Sequence, residues 1–447
     1  MKILHYFLGF PPYRSGGLTK YVFDLMCSQA EQGDVVTALW PGAMYPVGKK
    51  IRIKKRGVVR GVQSYELINP LPVPLDEGIR DVEAFTASCD LEIYREFLCR
   101  LKPAVIHIHT LMGLHREFLD IAFELGIRTI FTAHDFFGIC PKVTLFRQDA
   151  VCVDDHGCSD CVMCNAHALS MTKIRLLQSP VYRLLKNNPI MMMLRKKHRR
   201  AFFEESASKK VSMGLQVDAC AKQYQKLRNY YLDVFSKIDL IHFNSTVTEQ
   251  VYRQYFLPKN TGLISITHTE IRDNRNSLSW EPGRKLRLTM LAPARPLKGF
   301  QLVQTALDGL WESGKRDFEL KLFSPVTRPS PYMIIQENGY QYKELGEILQ
   351  NTDVLLAPSM GYETFGFTAL EALSYCVPVI VSNRMGVKDL LKDGGYVLEA
   401  GNVTQLQEIV KSLTPNVIKD MRENIKSNGE IKLWEQHVEE IYAIYRP

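Results

Sequence analysis

Long apolar runs are missing from this chain of 447 residues: none approaches the roughly 18 consecutive residues a membrane span needs. A spanning helix is therefore not expected. The glycine-rich loop after the first predicted strand lacks the three-glycine spacing of a dinucleotide fingerprint, which argues against NAD or FAD. Internal repeats and low-complexity tracts are absent, which excludes solenoids and disordered arrays. Acidic residues are missing from 171–200, "MTKIRLLQSPVYRLLKNNPIMMMLRKKHRR", which holds nine Lys/Arg. The net charge of +8 is thus local, and the remainder is close to neutral. The opening "MKILHYFLGFPPY" lacks the length and the small-residue cleavage site of a signal peptide. It holds His5 and reads as a buried strand over 2–9, so a cytosolic setting is the default expectation.

What is present is the composition of a soluble globular protein, 46% apolar and 23% charged, with enough chain for two sizeable cores. Strand-like and helix-like segments alternate. "KILHYFLG", "DVVTALW", "AVIHIHT", "RTIFTAH" and "IDLIHFNS" read as strands, and "GGLTKYVFDLMCSQAEQG" as an amphipathic helix ended by Gly33. Such β-α-β repetition predicts a parallel, doubly wound sheet. A cysteine-rich loop, 138–167, and a basic helical stretch, 171–235, interrupt it. The polar segment 272–285, with Pro282 and Gly283, reads as a linker. The alternation then restarts with "LRLTMLA", "FELKLFS" and "DVLLAPS". The expected fold is α/β, two Rossmann-like domains over 1–271 and 283–430, with a last helix over 431–447. A cleft between them is the expected site.

Four stretches carry candidate chemistry. In "GYETFGFTALEALSYCVPVIV" (361–381), Glu363 falls in a loop and Glu371 on the helix that follows. Such a helix start carries unpaired N–H groups that suit phosphate, while the carboxylates suit sugar hydroxyls. Gly16 and Gly17 lie between the first strand and the first helix, where the backbone can approach a ligand closely. Arg295 and Lys298 in "LAPARPLKGF" could clamp a diphosphate. His134 in "FTAHDF" would end a strand facing the cleft. His107 and His109 in "VIHIHT" are expected to divide, one to the cleft and one to the core. Singly, each stretch also fits a turn, an exposed pair or a packed histidine. Together they describe a site for a diphosphate and a sugar, as in a nucleotide sugar.

"YETFGFTALEA", with seven residues between Glu363 and Glu371, resembles the E-x7-E motif of retaining glycosyltransferases of the GT-B fold, family 4 in particular. "GG", "TAH", "KG" and "VPVIVSN" fall in that family's order. The resemblance implies that Glu363 binds donor-sugar hydroxyls and Glu371 the ribose. It also implies that Arg295 and Lys298 neutralise the leaving diphosphate. Backbone at Gly17 and at Gly366, Phe367 and Thr368 would support phosphate or sugar, and His134 would lie near the anomeric carbon. Retention of configuration and independence of a catalytic metal are implied as well. Two departures stand out: "RPLK" is shorter than the family's usual spacing, and "THTEIRD" stands where many members have an Asn-Gly turn.

Five of the ten cysteines, Cys140, Cys152, Cys158, Cys161 and Cys164, fall in the interrupting loop. The C-x2-C-x2-C spacing suits a structural zinc. The expected ligands are Cys140, Cys152, Cys161 and Cys164, with Cys158 the alternate; reduced thiols or a redox disulfide fit the same spacing. The basic, apolar 171–200 stretch suggests contact with an anionic membrane surface, or else a solvated helix pair. The expected partners are a nucleotide-sugar donor and a lipid-linked or surface-glycan acceptor, and not nucleic acid. The expected location is cytoplasmic, peripheral on the inner membrane face. A sugar-binding partner subunit without catalysis, or a GT-B epimerase, is the alternative.

Overall fold

A computed structural model describes residues 1–446 except 12, 15, 46, 47, 49, 75, 76, 148, 149, 154, 155, 195–216 and 276–283. The basic cluster at 195–200, part of the expected helical insertion (201–216), and Pro282 and Gly283 of the expected linker lie outside the described residues.

The first sheet contains β1 (Lys2–Tyr6), β2 (Val35–Pro41), β3 (Arg52–Val59), β4 (Val62–Ile68), β5 (Val105–Ile108) and β6 (Arg128–Thr132). After a two-stranded ribbon, β7 (Phe146–Arg147) and β8 (Ala150–Val151), the sheet resumes with β9 (Leu240–Phe243) and β10 (Thr261–Leu263). Its order is β10-β9-β6-β5-β1-β2-β4-β3. All neighbours are parallel except β3 and β4, a hairpin whose turn places Arg60 and Gly61 at positive φ. This edge hairpin carries Arg52, Lys54, Lys55 and Arg56, charges that blunt an open edge. The second sheet contains β11 (Leu286–Met290), β12 (Phe318–Leu322), β13 (Met333–Ile335), β14 (Val354–Ala357), β15 (Val379–Ser382) and β16 (Gly395–Leu398). Its order is β13-β12-β11-β14-β15-β16, and every pair is parallel.

Both orders reverse beside the first strand of the sheet. Strand β1 lies between β2 and β5, and β11 lies between β12 and β14. Ligands of open parallel sheets collect at such reversals, beyond the carboxyl ends of the strands. The loops there are the ones that hold Gly16 and Gly17, His109, Arg295 and Lys298, and Glu363.

Apolar packing joins the two sheets. One cluster packs β1 and the helix Gly17–Glu31 against the helix Phe367–Ser374 and the last helix, Trp434–Tyr445. That last helix docks on the first domain through polar contacts too. Trp434 donates to Ser28 Oγ at 2.8 Å, Tyr21 meets His437 at 2.7 Å, and Arg128 donates to the Ile444 carbonyl.

The expected division of His107 and His109 is overturned. Residues two apart on a strand point to the same face, and both imidazoles are fully buried with centroids 4.0 Å apart. Pro180 separates the helix Met171–Leu177 from the helix Pro180–Leu185, which it starts at a position that needs no N–H, after Ser179 as cap.

Candidate functional site

The loop after β14 is shaped by local backbone demands. Glu363 bridges in parallel to Met385: its N–H donates to the Arg384 carbonyl, and its carbonyl accepts from Gly386. Gly366 then caps the helix Phe367–Ser374 with φ of 117°, where a side chain would meet Met385 at 2.8 Å. No side chain caps this helix, so its first N–H groups point out of the loop. The loop after β11 is tied to it. Met360 N–H and Ser359 Oγ both donate to the Leu297 carbonyl, at 2.9 Å each. Gly299, with φ of 79°, lets the two loops touch, since a Cβ there would lie 2.0 Å from the Pro358 carbonyl oxygen.

That tie brings Lys298 Nζ to 2.9 Å from Glu363 Oε1, with both side chains partly exposed. Arg295 is exposed at the start of the same turn. Glu371, one helical turn beyond Gly366, is buried, and His268 Nε2 stands 3.2 Å from its Oε1. Tyr342 bonds to the same carboxylate; burial, with Glu371 beside it, pushes the phenol pKa up. Tyr340 is pushed up to about 12, by burial first and Glu371 second.

The first domain supplies the facing wall. Gly16 and Gly17 are exposed at the uncapped start of the first helix, with Gly16 at φ 126°. A Cβ on Gly17 would stand 3.6 Å from the Phe367 ring, so the two helix starts face each other across the cleft. His134 lies two residues past β6, and its carbonyl accepts from Thr364 Oγ1 at 3.1 Å, beside Glu363. The Thr364 carbonyl in turn accepts from Ser245 and Thr248 at 2.7 and 3.0 Å. Burial, and the nearby imidazoles of His242 and His437, lower the His134 pKa to about 3, so the ring is neutral. Asp135, next to it, is raised to about 6 by burial, although the Phe137 N–H bonds to it.

The structure therefore gathers Gly17, His134, Lys298, Glu363 and the Gly366–Thr368 backbone around one cleft, with Glu371 under its floor. Sequence reasoning missed His268, Tyr342, Thr364 and Asp135. His268 falls in "THTEIRD", the segment that departs from the family pattern, and that departure was the available signal.

The five cysteines of the loop are free thiols. Burial raises Cys140 to about 12, and the Cys164 and Cys152 thiols add to it. Cys161 is paired by hydrogen bond with Cys158, which raises its pKa. Among the described residues no three of these sulfurs lie within 4.8 Å of one another; His5, His107 and His109 are the group that does. A shared ion would need the loop to close further.

Comparison with known proteins bears on this geometry. Residues 335–432 match the family model "Glycosyl transferases group 1". Over 133 residues the chain is 29% identical to a phosphatidyl-myo-inositol mannosyltransferase of Propionibacterium freudenreichii, covering 29% of this chain and 35% of that protein. The chain thus spans about a third of the length of this curated relative. Among solved structures it is similar to an alpha,alpha-trehalose-phosphate synthase (UDP-forming) from Burkholderia xenovorans, with a TM-score of 0.55 at 12% identity, covering all of both chains. It is also similar to WaaG, a glycosyltransferase involved in lipopolysaccharide biosynthesis, with a TM-score of 0.52 at 14% identity over 99% of each. The fold is GT-B. The stretch of the second domain that matches the group 1 model holds Glu363, Gly366 and Glu371.

Proposed function

We propose that the chain is a retaining glycosyltransferase that moves a sugar from a nucleotide-sugar donor to a lipid-linked or surface-glycan acceptor. One observation carries the reading: the Lys298–Glu363 pair stands beside the uncapped helix start at Gly366, with the Gly17 helix start opposite. Two opposed helix starts and a lysine favour a diphosphate, and a carboxylate at the same point accepts from sugar hydroxyls. Lys298, Arg295 and the helix N–H groups would stabilise charge as the diphosphate leaves. Glu363 would orient the sugar, and Glu371 the ribose once His268 and Tyr342 share it. The mannosyltransferase and WaaG likenesses support a lipid or glycan acceptor.

An exposed apolar surface on the insertion fits such an acceptor. No described helix is long and apolar enough to cross a membrane. The helices Met171–Leu177 and Pro180–Leu185 and the residues after them instead leave Leu176, Val181, Leu184, Ile190 and Met193 exposed, Leu184 by 84%. Two of the four cations among the described residues of this stretch turn inward. Arg183 bonds to buried Glu66 at 2.7 Å and stacks on Tyr13, and Lys186 donates to the Tyr13 carbonyl at 2.8 Å. Burial would raise the Glu66 pKa, but Arg183, the Ala43 N–H and Arg56 more than offset it and hold it low. The helix is thus anchored by its charges and presents its apolar side outward, the pattern of an interfacial anchor.

A thermal-shift screen against nucleoside diphosphates and nucleotide sugars tests the donor site. Ligands that bind the folded state alone raise its stability with concentration. The expected result is a shift for one base, larger with one sugar. No shift at millimolar ligand favours a sugar-binding partner without catalysis.

A further inference from the structure

Beneath His134 the buried side chains form one continuous hydrogen-bonded path. At its far end the Ile264 carbonyl, which can only accept, lies 2.8 Å from His242 Nε2. His242 is neutral, its pKa lowered to about 3 by burial, so its single proton sits on Nε2 and Nδ1 must accept. The partner of Nδ1 is Thr132 Oγ1 at 2.9 Å, so the hydroxyl donates there and must itself accept from His107 Nε2 at 2.7 Å. His107 Nδ1 then accepts from the Tyr445 hydroxyl at 2.7 Å, and that oxygen accepts from Gln29 Nε2 at 3.1 Å. Gln29 Oε1 faces His5 Nε2 at 2.7 Å, His5 Nδ1 faces His109 Nε2 at 3.0 Å, and His109 Nδ1 faces His134 Nε2 at 3.2 Å. Each assignment forces the next. His134 donates from Nε2, and its Nδ1 is bare. That Nδ1 has no partner among the described residues and is not sealed in the interior.

We propose that this one-way path, anchored at Ile264 and routed through Tyr445 of the last helix, fixes His134 as the Nε2-protonated tautomer. His134 then presents an acceptor at Nδ1 to the cleft, suited to a hydroxyl and not to a phosphate oxygen. Tyr445, Gln29, His5 and His109 are positioning residues: they act through His134 and do not touch the ligand. The strand registers that set His5 level with His107, and Thr132 level with His242, build the path. A cation at His5, His107 and His109 is the competing use of these rings, but every nitrogen of the three already has a partner. The ligand consequence rests on the reading of the cleft given above; the tautomer does not.

The test is long-range proton–nitrogen NMR on the ligand-free, full chain labelled with 15N-histidine at pH 7, with peaks assigned by single His→Gln variants. The expected result is a neutral ring protonated on Nε2 at His134, His109, His5, His107 and His242. A proton on Nδ1 of His134, or a charged ring there, overturns the proposal. Tyr445→Phe frees the Gln29 amide to turn over and donate to His5, which reverses the His5–His109–His134 half. Nδ1-protonated His134 is expected to appear in that variant, and an unchanged Nε2 tautomer overturns the causal claim. Thr132→Val cuts the path between His107 and His242 and serves as the second variant if Tyr445→Phe folds poorly. Both spectra are recorded without ligand, so a failed donor screen would sink the proposed function and leave this result standing.

Discussion

The two walls of the cleft are built on opposite electrostatic plans. The second-domain wall carries ions: Lys298 against Glu363, exposed Arg295 and the Glu371 carboxylate below. At the first-domain wall the site offers bare glycine backbone and a neutral imidazole backed by buried neutral histidines. Charge near the surface of a cleft acts strongly on a leaving diphosphate, and a neutral acceptor discriminates by hydrogen-bond direction. Under the proposed reading, the charged wall would serve the departing diphosphate and hold the sugar, and His134 on the neutral wall would select by hydrogen-bond direction.

The contrast is most exposed to Glu363→Ala and Lys298→Ala. Each is expected to cut transfer on the order of a hundredfold or more, with the unfolding midpoint held. Near-normal turnover of purified Glu363→Ala would remove that glutamate from the site. His134→Ala removes one neutral hydrogen bond, about 0.5–1.5 kcal/mol, so transfer is expected to fall by no more than about tenfold. A thousandfold loss in the same assay would break the comparison and put His134 in the chemistry.

Acid should undo the neutral wall. Burial lowers His5 and His115 to about 4, and His134 and His242 to about 3. The unfolded chain takes up these protons near pH 6.5 and the fold refuses them, so their contribution is full above pH 6.5 and drains as pH falls towards 3–4. Asp135, raised to about 6, works the other way, since ionising it costs the fold as pH rises from 3.8 through 6. Four groups against one give a net loss. At about 1.4 kcal/mol per pH unit for each fully titrating group, urea unfolding should show a drop of a few kcal/mol between pH 6.5 and 5. A flat profile would mean that the histidines are hydrated.

Smaller effects sharpen the picture. Gly366→Ala forces a side chain into φ 117° against Met385 and is expected to cost about 1–3 kcal/mol by denaturant unfolding. Leu184→Asp should weaken sedimentation with anionic liposomes while leaving stability within about 0.5 kcal/mol, as for other exposed positions. Unchanged liposome binding would sink the membrane surface.

Much of this was legible in the chain. Alternation of "DVVTALW", "AVIHIHT" and "DVLLAPS" with amphipathic stretches predicted parallel sheets, because strand and helix periods differ. Their cores fall within a residue or two of β2, β5 and β14. The edge hairpin β3–β4 went unread: its strands mix Lys and Arg with Val, so neither period stands out. Glu363 and Glu371 were visible because a local motif holds them eight positions apart. Gln29, His242 and Tyr445 were not, and His107 was read without its partners, because these four are brought together from two strands and two helices far apart in sequence.

The sequence by itself determined the fold class, the positions of the reversing loops and the residue types at the second-domain wall. These follow from side-chain periodicity and from glycines that only certain backbone angles accept. Tertiary structure alone decided that Lys298 pairs with Glu363, that His268 and Tyr342 cover Glu371, and that His134 ends a buried path. Each depends on strand register and helix docking, which place residues more than 20 positions apart within hydrogen-bond distance, and no local pattern encodes that.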